Sequence, residues 1–183
     1  FWTDTEDCNI MQQKGMVWVI GASGGLGRAT AQAFAQNGWS VIAGARSFAA
    51  GTSPLGEGVT VLPLDVTSEE SCTAFVKKAL GMESRVDVLV CAAAQLVLGS
   101  CENTTVDELD RLLDVNVLGA VRMIQRALPL MRAQKSGKII LFSSINGLLG
   151  IPFQSAYTAS KHALEGYAEC LAMETEAFGV QVC

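Results

Sequence analysis

The chain has 183 residues, half of them hydrophobic, which is enough apolar surface for one substantial core and too little for two ordinary domains. Its net charge of −5 and its 13 scattered Lys and Arg residues leave no basic face of the kind that nucleic-acid binding requires. The six cysteines (Cys8, Cys72, Cys91, Cys101, Cys170, Cys183) form no C-x-x-C, and the single histidine, His162, has no neighbouring ligands, so no metal site is expected. They read as small buried hydrophobes of a reducing compartment.

Residues 1–14 are polar and acidic, lacking both the basic start and apolar run of a secretory signal and the length of a membrane span. The expectation is a cytoplasmic protein with an acidic tail over 1–14 and one domain over 15–183. The first residue is not Met, and Val180 to Cys183 read as a strand barely begun. The chain is therefore expected to be a piece of something longer, incomplete at its C-terminus.

In chain order, the pattern predicts a strand at Met16 to Ile20, a helix from about Gly25 to Asn37, strands at Ser40 to Gly44 and Val59 to Leu62, and a helix from about Ser68 to Leu80. A strand at Val86 to Cys91, a long helix from about Val106 to Arg132, a strand at Lys138 to Phe142 and a helix from about Ser155 to Phe178 follow. Thr67 with Glu70 and Thr105 with Glu108 have capping-box spacing. Gly38 and Gly81 are placed just past helix ends, and Pro129 should kink the long helix or mark its last turns. The Gly, Pro and Ser-rich stretch from Ala49 to Gly58 reads as a surface loop. Near-continuous apolar strands alternating with amphipathic helices imply an α/β fold, a doubly wound parallel sheet with right-handed crossovers.

Between the first strand and first helix lies GASGGLGRA. Glycines there admit φ > 0 and close backbone approach, so a pyrophosphate can sit against free N–H groups at the helix N-terminus. The spacing fits G-x-x-x-G-x-G through Gly21, Gly25 and Gly27, and equally G-x-x-G-x-x-G through Gly21, Gly24 and Gly27. The second strand ends in Ala43-Gly44-Ala45-Arg46, without the carboxylate that would hold an NAD ribose 2′-OH. Arg46, assisted by Arg28, suits a 2′-phosphate, so NADP(H) is favoured over NAD(H). Asp65, ending the third strand, either accepts from the adenine amine or caps the following helix.

Tyr157 and Lys161 lie four residues apart, one helical turn, and Ser144 lies thirteen residues before the tyrosine. A Tyr-x-x-x-Lys alone is common by chance, but a phenol beside an ammonium is also a proton-transfer pair. The cation stabilises phenolate, which otherwise needs a pH near 10.

Together the glycine loop, Asn116 in LLDVNVLGA, Ser144, Tyr157 and Lys161 resemble the short-chain dehydrogenase/reductase family in its compact single-domain branch. The stretch SSINGLLGIPFQSAYTASKHALEGYAECLAME is especially similar to the hydroxysteroid and retinol dehydrogenases. That resemblance implies a Rossmann-type sheet of order 3-2-1-4-5-6 lacking the family's last strand and substrate loop. It implies catalytic roles for all four side chains: Tyr157 as proton donor, Ser144 on the substrate oxygen, Lys161 on Tyr157 and the nicotinamide ribose, and Asn116 on a water linking Lys161 to solvent. It also places Ser23, Leu26, Val66 and Ala92 along the cofactor, and implies a homodimer or homotetramer paired through the two long helices. The implied activity interconverts a carbonyl and a secondary alcohol, with Leu148, Leu149, Ile151, Pro152 and Phe153 suggesting a hydrophobic small-molecule substrate.

One departure stands out: Cys91-Ala92-Ala93-Ala94 replaces the family's Asn-Asn-Ala-Gly, removing the amides that tie the family's central strands together and placing at Ala94 a Cβ that forbids an easy φ > 0. Two other functions stay open, a non-catalytic NADP(H)-binding regulator and an extended-branch sugar-nucleotide epimerase or dehydratase.

Overall fold

The computed structural model describes residues 15–48 and 55–183; the acidic tail, Cys8 and most of the expected loop at 49–58 lie outside them. Six parallel strands form one sheet in the order β3-β2-β1-β4-β5-β6, as the resemblance implied. They are β1 (Met16–Ile20), β2 (Ser40–Ala45), β3 (Val59–Pro63), β4 (Val88–Cys91), β5 (Gly137–Leu141) and β6 (Val180–Val182). β1 is central, with Val17 registered against Val41 on one side and Val88 on the other.

The strands lack hydrophobic alternation because both faces are buried. Trp18, Ile20, Ile42, Leu89 and Cys91 point into one core, and Val17, Val19, Val41, Ala43, Val88 and Val90 into the other. The first core packs against α2 (Glu69–Met82), α4 (Gly119–Gln134) and α5 (Ser155–Thr175), where Trp18 meets Phe75 edge to face at 5.9 Å between centroids. The second lies under α1 (Gly25–Gln36), through Ala31 and Phe34.

Local expectations fare unevenly. Thr105 caps α3 (Val106–Leu113) with both arms of a capping box formed to Glu108. The cap of α2, however, is Ser68, whose hydroxyl accepts from the Ser71 N–H; Thr67 instead donates to Asp65. Gly38 follows α1 at φ +81, whereas Gly81 lies inside α2. Pro129 sits in the final turns of α4, on its exposed side.

The expected long helix is interrupted. Between α3 and α4 the residues Asp114–Leu118 form a π-helical turn centred on Asn116. Such a wide turn costs hydrogen-bond geometry and recurs at functional sites. The last helix tightens into a 3₁₀ turn at Glu176–Phe178 before β6 begins.

Candidate active site

The parallel strands end at a common edge, where open α/β sheets place their ligands. At the end of β1, Gly21 adopts φ +87, and a Cβ there would lie 2.6 Å from the Ala93 Cα and 2.8 Å from the Ala92 carbonyl carbon. Only hydrogen fits, so the loop after β1 is pressed against the loop after β4. Gly27 is buried beneath that loop, where a Cβ would come 2.9 Å from the Gly21 carbonyl carbon. Gly24 and Gly25 differ: a Cβ at either would meet nothing within 4 Å, and Gly24 caps α1 with no side-chain hydrogen bond. The loop thus has a tight buried side and a bare side, with first-turn N–H groups of a twelve-residue helix beside it.

The bare side opens on a cleft of about 280 Å³ lined by Gly21, Ser23, Gly24, Arg46, Asp65, Val66 and Ala92. Leu26, 68% exposed, and Arg28 do not line it. An accessible backbone cradle at a helix N-terminus, with an exposed guanidinium at its rim, is a donor set that fits the phosphates of a dinucleotide.

Asp65 braces the turn leading into α2. Its Oδ1 accepts from the Thr67 N–H at 3.0 Å and the Thr67 hydroxyl at 2.8 Å, and these bonds hold its carboxyl below the usual carboxylate range. Ser68 takes the capping role, while Asp65 keeps a place in the cleft. Behind it, the Val66 carbonyl is held by the Arg122 guanidinium at 3.0 Å.

The second group of residues gathers where β5 meets α5. Past the end of β5 the chain runs through Phe142 and Ser143 to Ser144, which caps a short 3₁₀ turn. Lys161 is 2% exposed; its ammonium donates to the Phe142 carbonyl at 2.6 Å and lies 5.6 Å from the centre of the half-buried Tyr157 ring. Burial pulls the Lys161 pKa below the ordinary lysine range, and the Glu165 carboxylate one turn on opposes this.

Asn116, 2% exposed, reaches the same region from the π turn. Its carboxamide pairs with the Gln95 backbone in both directions, accepting at 2.7 Å and donating at 2.9 Å, and donates to the Ser160 hydroxyl at 3.0 Å. Ser160 in turn donates to the Tyr157 carbonyl at 2.7 Å. Side-chain bonds of Asn116 thus tie the loop after β4 to the helix carrying Tyr157 and Lys161.

The altered segment after β4 is accommodated without strain. Cys91 is buried in the core with its thiol pushed up to about 12 by burial, and the Ala92 N–H donates to the Ile20 carbonyl at 2.8 Å. Ala94 is not among the residues with positive φ, in keeping with a Cβ that disfavours that conformation. The loop reaches Asn116 through Gln95 instead.

Two contributors escaped the sequence reading. Ser160, adjacent to Lys161, is completely buried, and a hydroxyl on the inward face of an amphipathic helix was its one available signal. Asn146, two residues beyond Ser144, is 3% exposed and holds the Ser144 hydroxyl; nothing in its spacing announced this.

The family profile described as short chain dehydrogenase matches residues 15–183. A 3-ketodihydrosphingosine reductase of Bacteroides thetaiotaomicron is 37% identical over 171 residues, covering 93% of this chain and 62% of the relative. The estradiol 17-beta-dehydrogenase 1 of Rattus norvegicus is 45% identical over 122 residues, 67% of this chain and 35% of its own, and human retinol dehydrogenase 8 is 38% identical over 132 residues, 72% and 42%. A crystal structure of a short-chain dehydrogenase from Streptomyces avermitilis aligns with a TM-score of 0.87 at 37% identity, over 93% of this chain and 64% of that one. The chain belongs to the short-chain dehydrogenase family, and it spans about three fifths or less of these curated relatives.

Proposed function

We propose that the protein is an NADP(H)-dependent oxidoreductase that interconverts a carbonyl and a secondary alcohol on a hydrophobic small molecule. The observation that carries this reading is the buried Lys161 ammonium held against the Tyr157 ring beside the strand end that bears Ser144. Bound in the cleft, a nicotinamide dinucleotide supplies or takes up the hydride.

In the reducing direction, the Tyr157 hydroxyl donates a proton to the substrate oxygen, leaving a phenolate. The Lys161 ammonium stabilises that anion, and in the oxidising direction the phenolate takes the alcohol proton back. Ser144 donates a hydrogen bond to the same oxygen as negative charge develops on it. Asn116 holds the turn bearing Tyr157 through Ser160. Arg46 would hold the cofactor 2′-phosphate, and Ser23, Gly24 and Gly25 would hold its pyrophosphate.

Exposed Leu148, Leu149 and Phe153, in the segment between Ser144 and Tyr157, support a hydrophobic substrate. The names of the relatives supply a panel: 3-ketodihydrosphingosine, a 17-ketosteroid and retinal. No helix of the described residues is long and apolar enough to cross a membrane. The reading takes the protein as cytoplasmic and as a homodimer or homotetramer pairing through α4 and α5.

The test is Tyr157→Phe in the full-length protein, followed by NADPH oxidation with that panel. Turnover should fall by about 100-fold or more, the range for losing a general acid, while NADPH still binds. Unchanged turnover of every accepted substrate would remove Tyr157, and the reaction class with it.

A further inference from the structure

We propose that Asn146 is a positioning residue for catalysis, orienting the Ser144 hydroxyl and fastening the loop that bears it to the helical turn that bears Tyr157. The inference rests on the role given to Ser144 above.

Asn146 is 3% exposed, and its carboxamide is engaged on both sides, with the loop after β5 and with the start of α5. On the strand side, the Ser144 hydroxyl donates to Asn146 Oδ1 at 3.2 Å, and the backbone N–H of Asn146 donates back to the Ser144 oxygen at 3.3 Å. On the helix side, Asn146 Nδ2 donates to the Gln154 side-chain carbonyl at 3.1 Å and to the Thr158 hydroxyl at 2.9 Å. Gln154 is the residue before α5, and Thr158 follows Tyr157 directly.

One carboxamide therefore spans the gap between the two groups that must meet a single substrate oxygen. A serine hydroxyl rotates freely about its C–O bond, and an untethered one spends much of its time pointing elsewhere. Here the Asn146 N–H fixes the Ser144 oxygen, and Asn146 Oδ1 holds the single hydroxyl proton, which turns from that acceptor onto the substrate oxygen as negative charge develops there. The anchorage to Gln154 and Thr158 fixes the distance from Ser144 to the Tyr157 turn, and small misplacements of such groups reduce rates steeply. An alanine would leave the Gln154 and Thr158 acceptors without this donor inside a packed loop.

A double-mutant cycle separates this role from simple structural support. In the full-length protein, single-turnover NADPH oxidation is measured with whichever of the three carbonyl compounds reacts fastest, for wild type, Ser144→Ala, Asn146→Ala and the double variant. Ser144→Ala should lower the rate by about 100-fold, as expected for an oxyanion donor. Asn146→Ala should lower it by about 10-fold or more with NADPH affinity unchanged, yet by less than about 3-fold in the Ser144→Ala background, because the coupling passes through Ser144. Equal losses in both backgrounds, or none in either, would overturn the inference and leave the proposed reaction standing. An inert Ser144→Ala would instead overturn the role of Ser144, and this inference with it. If Asn146→Ala fails to fold, Thr158→Val removes one anchor in its place. It should show the same asymmetry, about 3-fold or more against none, and symmetric or absent losses would be equally decisive against the proposal.

Discussion

Arg46 stands where the polypeptide leaves β2 and enters the cleft, exposed and opposite Asp65. A guanidinium binds a phosphate through charge-assisted bonds worth about 1.5–3 kcal/mol, or roughly 10- to 100-fold in affinity. A ribose that lacks the phosphate gains nothing comparable. Arg46→Ala should therefore weaken NADPH binding by about 10-fold or more and leave NADH within about 3-fold, read by fluorescence titration. Equal weakening of both cofactors would assign Arg46 to general structure instead. At the same scale, Cys91 shows how the altered loop survives without its amides: burial keeps the thiol neutral, and a small apolar side chain closes the core where a polar one would need partners.

At the scale of elements, the start of α2 shows how adjacent hydroxyls divide their work. Ser68 satisfies an orphan N–H of the helix, Thr67 engages Asp65, and Glu70, the acid of the anticipated box, is left on the exposed side. Ser68→Ala should lower stability by about 1 kcal/mol in chemical denaturation, the usual cost of a lost N-cap, while Glu70→Gln should stay within about 0.5 kcal/mol. The opposite ranking would restore the capping box at Thr67. The strands and most helices were legible because sidedness was written in their composition: continuous Val, Ile and Leu in strands, a glycine loop at one junction, Tyr157 and Lys161 at one-turn spacing. The choice between Thr67 and Ser68 was not, since neighbouring hydroxyls carry the same propensity. Nor was the π turn, because one added residue barely disturbs a helical pattern of apolar positions. The bonds of Asn116 join segments 21 and 44 residues apart and those of Asn146 segments 8 and 12 apart, a relation that side-chain spacing along one element does not encode.

For the molecule as a whole, Lys161 links site and stability. Its pKa is lowered in the folded protein by burial, so wherever both states carry the charge the native state bears its desolvation cost. As pH rises through the folded value towards the unfolded one near 10.4, the native state sheds its proton first, the unfolded chain holds more protons, and stability from this group rises. Cys91 acts in the reverse sense above about pH 9, where the unfolded thiol ionises and the folded one does not. Urea midpoints of wild type and Lys161→Met, compared from pH 7 to 10, cancel the cysteine contribution. The wild type should gain on the variant as pH rises, and parallel curves or a widening deficit would contradict a depressed lysine.

The π turn at Asp114–Leu118 also decides which change of length this stretch tolerates. Each residue of an α-helix turns the chain by about 100°, and a widened turn absorbs one residue without passing that rotation on, so deleting one here would return the segment to ordinary α-helix with its flanks in register. Met123, Ile124 and Ala127 would stay under the sheet, while Asn116 would lose its place against Gln95 and Ser160. A deletion at this point would spare the greasy seam and undo the polar knot.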